Sequence, residues 1–491
     1  VLLYLPHLRT VPGWYGDETT ALLIGKQLFN GEMAFGAVSN TFVTVVFQPL
    51  YLAMVGFGYW LTSDILGARF LNTLLAYGTA LTIYGIGRRI FPSRIAFGGA
   101  LLFLVCDQSV IHFRQCFPHN AVAFGAAIAI LSICRRSERK GANLSAGLGV
   151  AVALGAHPLG VYLAAVTGCF RLLRPRSWIP LILPSLILIA GCYSLVAIRH
   201  SNWLIDDIQT IFHSYSAGNS EQEGHLWTNL SRFYSQNIFH FLAFASCLLL
   251  LLSPRRVRRL PILAFVLLFS IALFRNRANL VVFYYQAVPL LPFLCLALSW
   301  SCNTAVTRLI RMGPLGTVTP AISRAIRRCA FPLLILALAA PLAGKSIQGT
   351  LIPRNMMWTT QSTEEVDKAA AWLNTRLAPT DIVIANPNLA WLLNSRTANM
   401  LQLTAWNGKD TFMYEYGMPK DRFIFPLDRS SIRYLVLGDI DQIWGIHQPN
   451  VLSILEEYDV EGWRLVWKSP TYLILENPSF SRHQTNRTTA P

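Results

Sequence analysis

Along the first 345 positions, apolar runs alternate with short polar breaks at lengths that suit helices rather than strands. Ile95–Val105, Ala121–Ile133, Leu181–Ala197, Phe241–Leu252, Leu260–Leu273 and Phe331–Leu342 are each bounded by Arg, Pro or Asn clusters, the pattern of helices that end at a membrane surface. The spacing predicts spans near 66–87, 95–112, 119–134, 143–155, 157–173, 178–198, 236–253, 259–274, 282–301 and 328–345. With the opening Val1-Leu2-Leu3-Tyr4-Leu5 read as the end of a preceding span, this makes about eleven. Thr19–Phe29 and Pro49–Leu61 read as helices lying in the membrane plane, with a short span as the lesser alternative for the second.

After Lys345 the pattern changes. Val366–Leu377 is amphipathic, Val451–Tyr458 reads as a second helix, and Asp381–Ala385, Arg433–Gly438, Trp463–Trp467 and Thr471–Leu475 read as strands. The expectation is a mainly α, polytopic transmembrane domain over 1–345, an α/β soluble domain over 346–478 and a polar, disordered tail over 479–491.

Composition agrees with a lipid solvent. The chain is 53% hydrophobic and 13% charged, with a mean hydropathy of +0.42, whereas soluble domains carry about a quarter charged residues. A net charge of +16 would suit nucleic acid, but the basic residues cluster in alternate short loops: Arg88, Arg89 and Arg94, then Arg135 to Lys140, Arg171 to Arg176, Arg255 to Arg259 and Arg308 to Arg328. That is the signature of cytoplasmic loops, so the charge predicts topology rather than a nucleic-acid partner. It places the segment after the first span, a second loop over Arg199–Gln236 and the C-terminal domain on the non-cytoplasmic side. The nine cysteines all lie between Cys106 and Cys329 and form no CxxC or disulfide framework.

The chemistry-bearing segment nearest the expected surface is Gly13-Trp14-Tyr15-Gly16-Asp17-Glu18. A carboxylate there can serve as general base toward an acceptor hydroxyl, or as a metal ligand. Equally, two acids at the start of an apolar helical stretch favour its dipole, and both readings stand at this point. Trp14, Tyr15, Trp203 and Trp227 suit interfacial anchoring, with stacking on sugar rings as the alternative.

The order of the motifs resembles the lipid-dependent glycosyltransferases of GT-C fold, the glycosyltransferase 39-like family of protein O-mannosyltransferases and aminoarabinose transferases. The matching residues are Asp17-Glu18 followed by Ala21–Gly31, then Gln48-Pro49-Leu50-Tyr51, Leu66-Gly67-Ala68-Arg69 and Gly87-Arg88-Arg89-Ile90-Phe91. Arg114 and the break at Gly155-Ala156-His157-Pro158-Leu159-Gly160 follow, and the soluble tail domain extends the likeness over nearly the whole chain. The resemblance implies transfer of a sugar from a polyprenyl-phosphate donor to a glycan, lipid or protein acceptor, with inversion, by an integral protein of the bacterial inner membrane. Asp17 is then the base and Glu18 its assistant.

Such a donor needs cations for its phosphate. Arg275 and Arg277, with Tyr284 and Tyr285 entering the next span, and Arg114 fit that demand; interfacial snorkelling is the structural alternative. Where relatives commonly carry an Asp, this chain has His119-Asn120. These two and His157 are candidates for the substrate cavity. No cofactor is assigned, the metal set is unknown, and a divalent cation is left open. Two rivals share part of the pattern: a transporter or flippase of lipid-linked saccharides, and a scaffold whose tail domain binds cell-wall material.

Overall fold

The structure, a computed structural model, describes residues 3–39, 48–135, 140–171, 178–217, 226–235, 237–252, 259–275, 284–312, 320–351, 360–411, 413–414, 418–459 and 462–480. They form two compact units. The helical unit comprises Val1–Leu8, Phe42–Met54 and Arg69–Ile352, and the α/β unit Arg9–Thr41, Val55–Ala68 and Pro353–Pro491.

The apolar runs form helices Ile65–Ile90, Ser93–Val105, Asp107–Phe113, Pro118–Ile133, Lys140–Ala156, Gly160–Arg171, Trp178–Ala217, Ile238–Leu249, Leu260–Arg275, Leu291–Met312 and Pro320–Leu351. Two stretches, Tyr285–Arg311 and Arg328–Gln348, are long and apolar enough to cross a membrane by length and composition. Ser93–Val105 and Asp107–Phe113, bent by 60° at their break, add a third if they form one broken span. Others are shorter: Pro118–Ile133 has 16 residues, about 24 Å of rise against a hydrocarbon core of about 30 Å. Length and composition thus single out two or three of the eleven expected spans among the described residues.

Two elements differ from the expected pattern. Cys106 adopts an extended conformation, φ −61 and ψ 126, so the run read as one span near 95–112 breaks there and Asp107 opens a new helix. The run from Trp178 continues to Ala217 as one helix of 40 residues, through positions where a loop was expected from Arg199.

Helices Pro118–Ile133 and Lys140–Ala156 meet at two glycines. A Cβ on Gly125 would lie 2.5 Å from the Gly149 carbonyl oxygen, and one on Gly149 2.6 Å from that of Gly125. Without side chains at this crossing the backbones touch, as small-residue packing between apolar helices requires.

In the α/β unit, β1 (Trp14–Tyr15) pairs antiparallel with β4 (Thr360–Gln361), and β2 (Ala34–Phe35) forms a hairpin with β3 (Val38–Ser39). The main sheet runs in the order β6-β5-β7-β9-β8, from β5 (Ile382–Ile384), β6 (Arg396–Ala398), β7 (Ile432–Gly438), β8 (Arg464–Lys468) and β9 (Tyr472–Glu476). The first three strands are parallel; β9 is antiparallel to both β7 and β8. Ile382, Ile384, Ile432 and Leu435 join Met400, Leu401, Leu403, Val451 and Ile454 in one buried core. The chain leaves β5 toward β6 and returns to β7 on the other side, so the carboxyl ends of β5 and β7 form a topological switch point.

Candidate active site

Asp17 and Glu18 fall in the first turn of helix Gly16–Phe29, whose N-cap Tyr15 supplies no side-chain cap. Asp17 is half-buried and Glu18 fully buried. At these positions their charge favours the helix dipole by about 0.3–1 kcal/mol, and Asp17 stays partly exposed.

The segment leading to Asp17 is held from several sides. Trp14 packs edge-on against Trp391 at 5.1 Å and donates its indole N–H to the Arg9 carbonyl at 2.9 Å. Arg9 lies over the Trp14 ring, forms a bidentate pair with Asp367 at 2.7 and 2.9 Å, and donates Nε to Asp64 at 2.8 Å. Bidentate guanidinium pairs add geometric restraint beyond their energy.

Behind the acids, Thr19 donates its hydroxyl to Asn388 Oδ1 at 2.7 Å. The helix that carries Asp17 is thereby hydrogen-bonded to the turn after β5, at the switch point. Two further residues there escaped the sequence reading. Asp441 Oδ2 accepts from the Gly438 amide at 2.9 Å and from Asn386 Nδ2 at 3.3 Å, tying the carboxyl ends of β7 and β5 together. Burial pushes the Asp441 carboxyl up to about 7, against the smaller lowering by these hydrogen bonds. The available signal was an Asn-Pro-Asn turn after one strand and Gly-Asp-Ile-Asp after another.

In the helical unit the structure brings together His119, His157 and Tyr285. The His119 ring centroid is 4.5 Å from that of His157 and 5.2 Å from that of Tyr285, and Tyr285 stacks on Phe117 at 4.4 Å with an interplanar angle of 3°. His157 Nδ1 accepts from the Leu159 amide at 3.1 Å, which fixes the ring at the helix break. Asn120 faces a different task. Its Nδ2 lies 3.0 Å from Asn72 Oδ1, 2.9 Å from the His112 carbonyl and 3.0 Å from the Gln115 carbonyl, while Tyr51 donates to the same Asn72 oxygen at 3.1 Å. It clips the 112–117 turn to its own helix and to Ile65–Ile90.

Arg114 is fully buried and donates to the carbonyls of Leu3 at 3.0 Å and Pro6 at 2.6 Å, so it secures the N-terminal segment. Arg275 closes its helix and Tyr284 opens a 3-10 turn, but the side chains of both, and all of Arg277, lie outside the described residues. Among the described residues no three His, Cys, Asp or Glu side chains gather as a metal-ligand set.

The glycine crossing sets the spacing of the histidines, because His119 lies in the first turn of one helix and the other ends just before His157. Gly125→Leu is expected to force the helices apart, at a cost of about 1–3 kcal/mol. The melting temperature in detergent should fall, and any activity that uses the His119–His157 pair should fall by more than tenfold. An unchanged melting temperature would show that the crossing has slack.

No family model matches the sequence, and no curated protein matches it by sequence. Solved structures match over nearly the full length. ArnT from Cupriavidus metallidurans in the apo state is 13% identical, with a TM-score of 0.65, over 97% of this chain and 95% of that one. The same protein bound to undecaprenyl phosphate gives 13% identity and a TM-score of 0.66, over 96% of each chain. The oligosaccharyltransferase of Archaeoglobus fulgidus, tethered with an acceptor peptide, gives 12% identity and a TM-score of 0.50, over 96% of this chain and 71% of that one. The matched range includes both the helical and the α/β unit, and the chain therefore has the GT-C fold seen in these structures.

Proposed function

We propose that the protein is an integral-membrane glycosyltransferase that moves a sugar from a polyprenyl phosphate to an acceptor hydroxyl or amine on the non-cytoplasmic side, with inversion. The observation that carries this reading is the end-to-end likeness to ArnT, one structure of which is described as bound to undecaprenyl phosphate. It is joined by an acid pair held at a helix start beside a sheet switch point. The alternating basic loops support the sidedness.

In this reading Asp17 removes the acceptor proton as the acceptor oxygen or nitrogen bonds to the anomeric carbon. The bond from that carbon to the phosphate oxygen breaks, and the polyprenyl phosphate departs with its electron pair. Glu18, buried in the same turn, orients the acid helix. Arg275 and Arg277 hold the leaving phosphate, since a guanidinium stays charged when partly desolvated and binds phosphate in bidentate fashion. His119, His157 and Tyr285 line the substrate cavity, and Arg114 and Asn120 fix the segments around it. A divalent cation would add charge stabilisation on the phosphate side. The shorter apolar helices count as spans in this reading, several of them tilted or paired.

Membranes with and without the protein, supplied with a radiolabelled polyprenyl-phosphate sugar, test the proposal. Protein-dependent release of free polyprenyl phosphate with label in a new product is expected. Movement of intact donor across the bilayer without cleavage would favour a carrier instead.

A further inference from the structure

The α/β unit contains a cavity of about 570 Å3 that the transfer chemistry does not use. Its volume lies in the range of small-molecule sites. Lys26, Asn394, Ser395, Arg396 and Phe425 line it, together with the exposed Glu32.

The lining carries two cations, Lys26 and Arg396, and one carboxylate, Glu32, among amide and hydroxyl side chains. Lys26 spends one proton on the Trp391 carbonyl at 3.0 Å and lies over the Tyr59 ring at 5.5 Å. Burial lowers its pKa, which marks an ammonium short of compensating charge. Arg396 lies over Phe425 at 5.7 Å. Among the described residues neither cation has a carboxylate partner, and the Ser395 hydroxyl is buried without a hydrogen-bond partner. A half-buried ammonium with no carboxylate partner favours an anion beside it, and the exposed Arg396 on the same cavity can share that anion. The scattered hydroxyl and amide groups suit a ligand with many oxygens.

We infer that this cavity binds a saccharide carrying a carboxylate or phosphate. Lys26 follows Asp17 by nine residues, two and a half turns, which puts it on the opposite side of the helix and about 14 Å along it. The cavity is thus a holding site for a glycan, not a second reaction centre. That the glycan held there is the acceptor rests on the transfer reading above; the binding itself does not.

Equilibrium titration of the full-length protein in detergent, with no donor present, tests the site. Trigalacturonate and glucose 6-phosphate supply the two kinds of anion, and maltotriose is the neutral control. At least one anionic sugar should bind tenfold or more tighter than maltotriose, and Lys26→Gln with Arg396→Gln should remove that advantage. Glu32→Gln, at the exposed rim, should tighten anionic binding severalfold, which guards against a misfolded double variant. Asp17→Asn should bind as the native protein does, so a failed transfer assay and a failed binding site give different results. Equal affinity for charged and neutral sugars, or indifference to all three substitutions, would overturn the assignment.

Discussion

Membranes carrying Asp17→Asn are expected to transfer sugar about 10²–10⁴-fold more slowly than those carrying the native protein, the usual contribution of a positioned general base. The substitution is close to isosteric, and the helix it opens is held by other groups: Trp14 against Trp391, Arg9 on Asp367 and Asp64, and Thr19 on Asn388. Loss of one favourable charge in the first turn costs only about 0.3–1 kcal/mol. A helix-stabilising acid and a base therefore separate cleanly. The first predicts a small drop in melting temperature and unchanged transfer; the second predicts near-native stability and a large loss of rate. Undiminished transfer would refute the assignment of Asp17, and Glu18, which is fully buried, would then be tested next as Glu18→Gln.

The second large effect concerns Asp441, whose carboxyl titrates near 7 in the fold and has a reference value of 3.8. Because the folded value is raised, the folded state holds its proton more tightly than the unfolded chain does. The stability linked to that proton is fully present below about pH 4 and is lost as pH rises through 7. At pH 8 the native unit bears the whole cost of a buried carboxylate, on the order of 4 kcal/mol, and among the described residues its Oδ1 has no hydrogen-bond partner. Asp441→Asn removes the charge. The variant is expected to melt above the native protein at pH 8 and to show little dependence on pH between 4 and 8. At pH 4, where both side chains are neutral, the two should melt closely together. Parallel melting curves across that range would exclude Asp441 as the source of the dependence.

Much of the helical unit was legible because burial in apolar surroundings writes long hydrophobic runs: Pro118–Ile133 and Leu260–Arg275 fall within a residue or so of where their runs predict them. The strands β5, β7, β8 and β9 were legible for a similar reason, being rich in Ile, Leu, Val and Trp. By contrast, β6 is only Arg-Thr-Ala, three residues with no periodicity to detect, and parallel pairing to β5 is what makes it a strand. The bend at Cys106 carries no Pro or Gly signal in its own run, and the extension of Trp178–Ala217 crosses polar residues that a hydropathy profile reads as loop. The polar residues show the same division. Asp17 and Glu18 stood out because adjacent acids beside an expected membrane surface are unusual. Asn388 and Asp441 could not, since their importance comes from hydrogen bonds to residues remote in sequence. Arg114 and Asn120 were singled out by position, and what the structure shows for them is backbone clamping, which no local pattern encodes.

The pair Arg9–Asp367 joins residues 358 apart. At about 5–20 residues per second, the ribosome delivers Asp367 some tens of seconds after Arg9. Throughout that interval the turn bearing Asp17 has been delivered while the sheet it docks on does not yet exist. Biosynthesis therefore finishes the seat of the Asp17 turn last, and a chain released before its final strands lacks the partners that hold that turn in place.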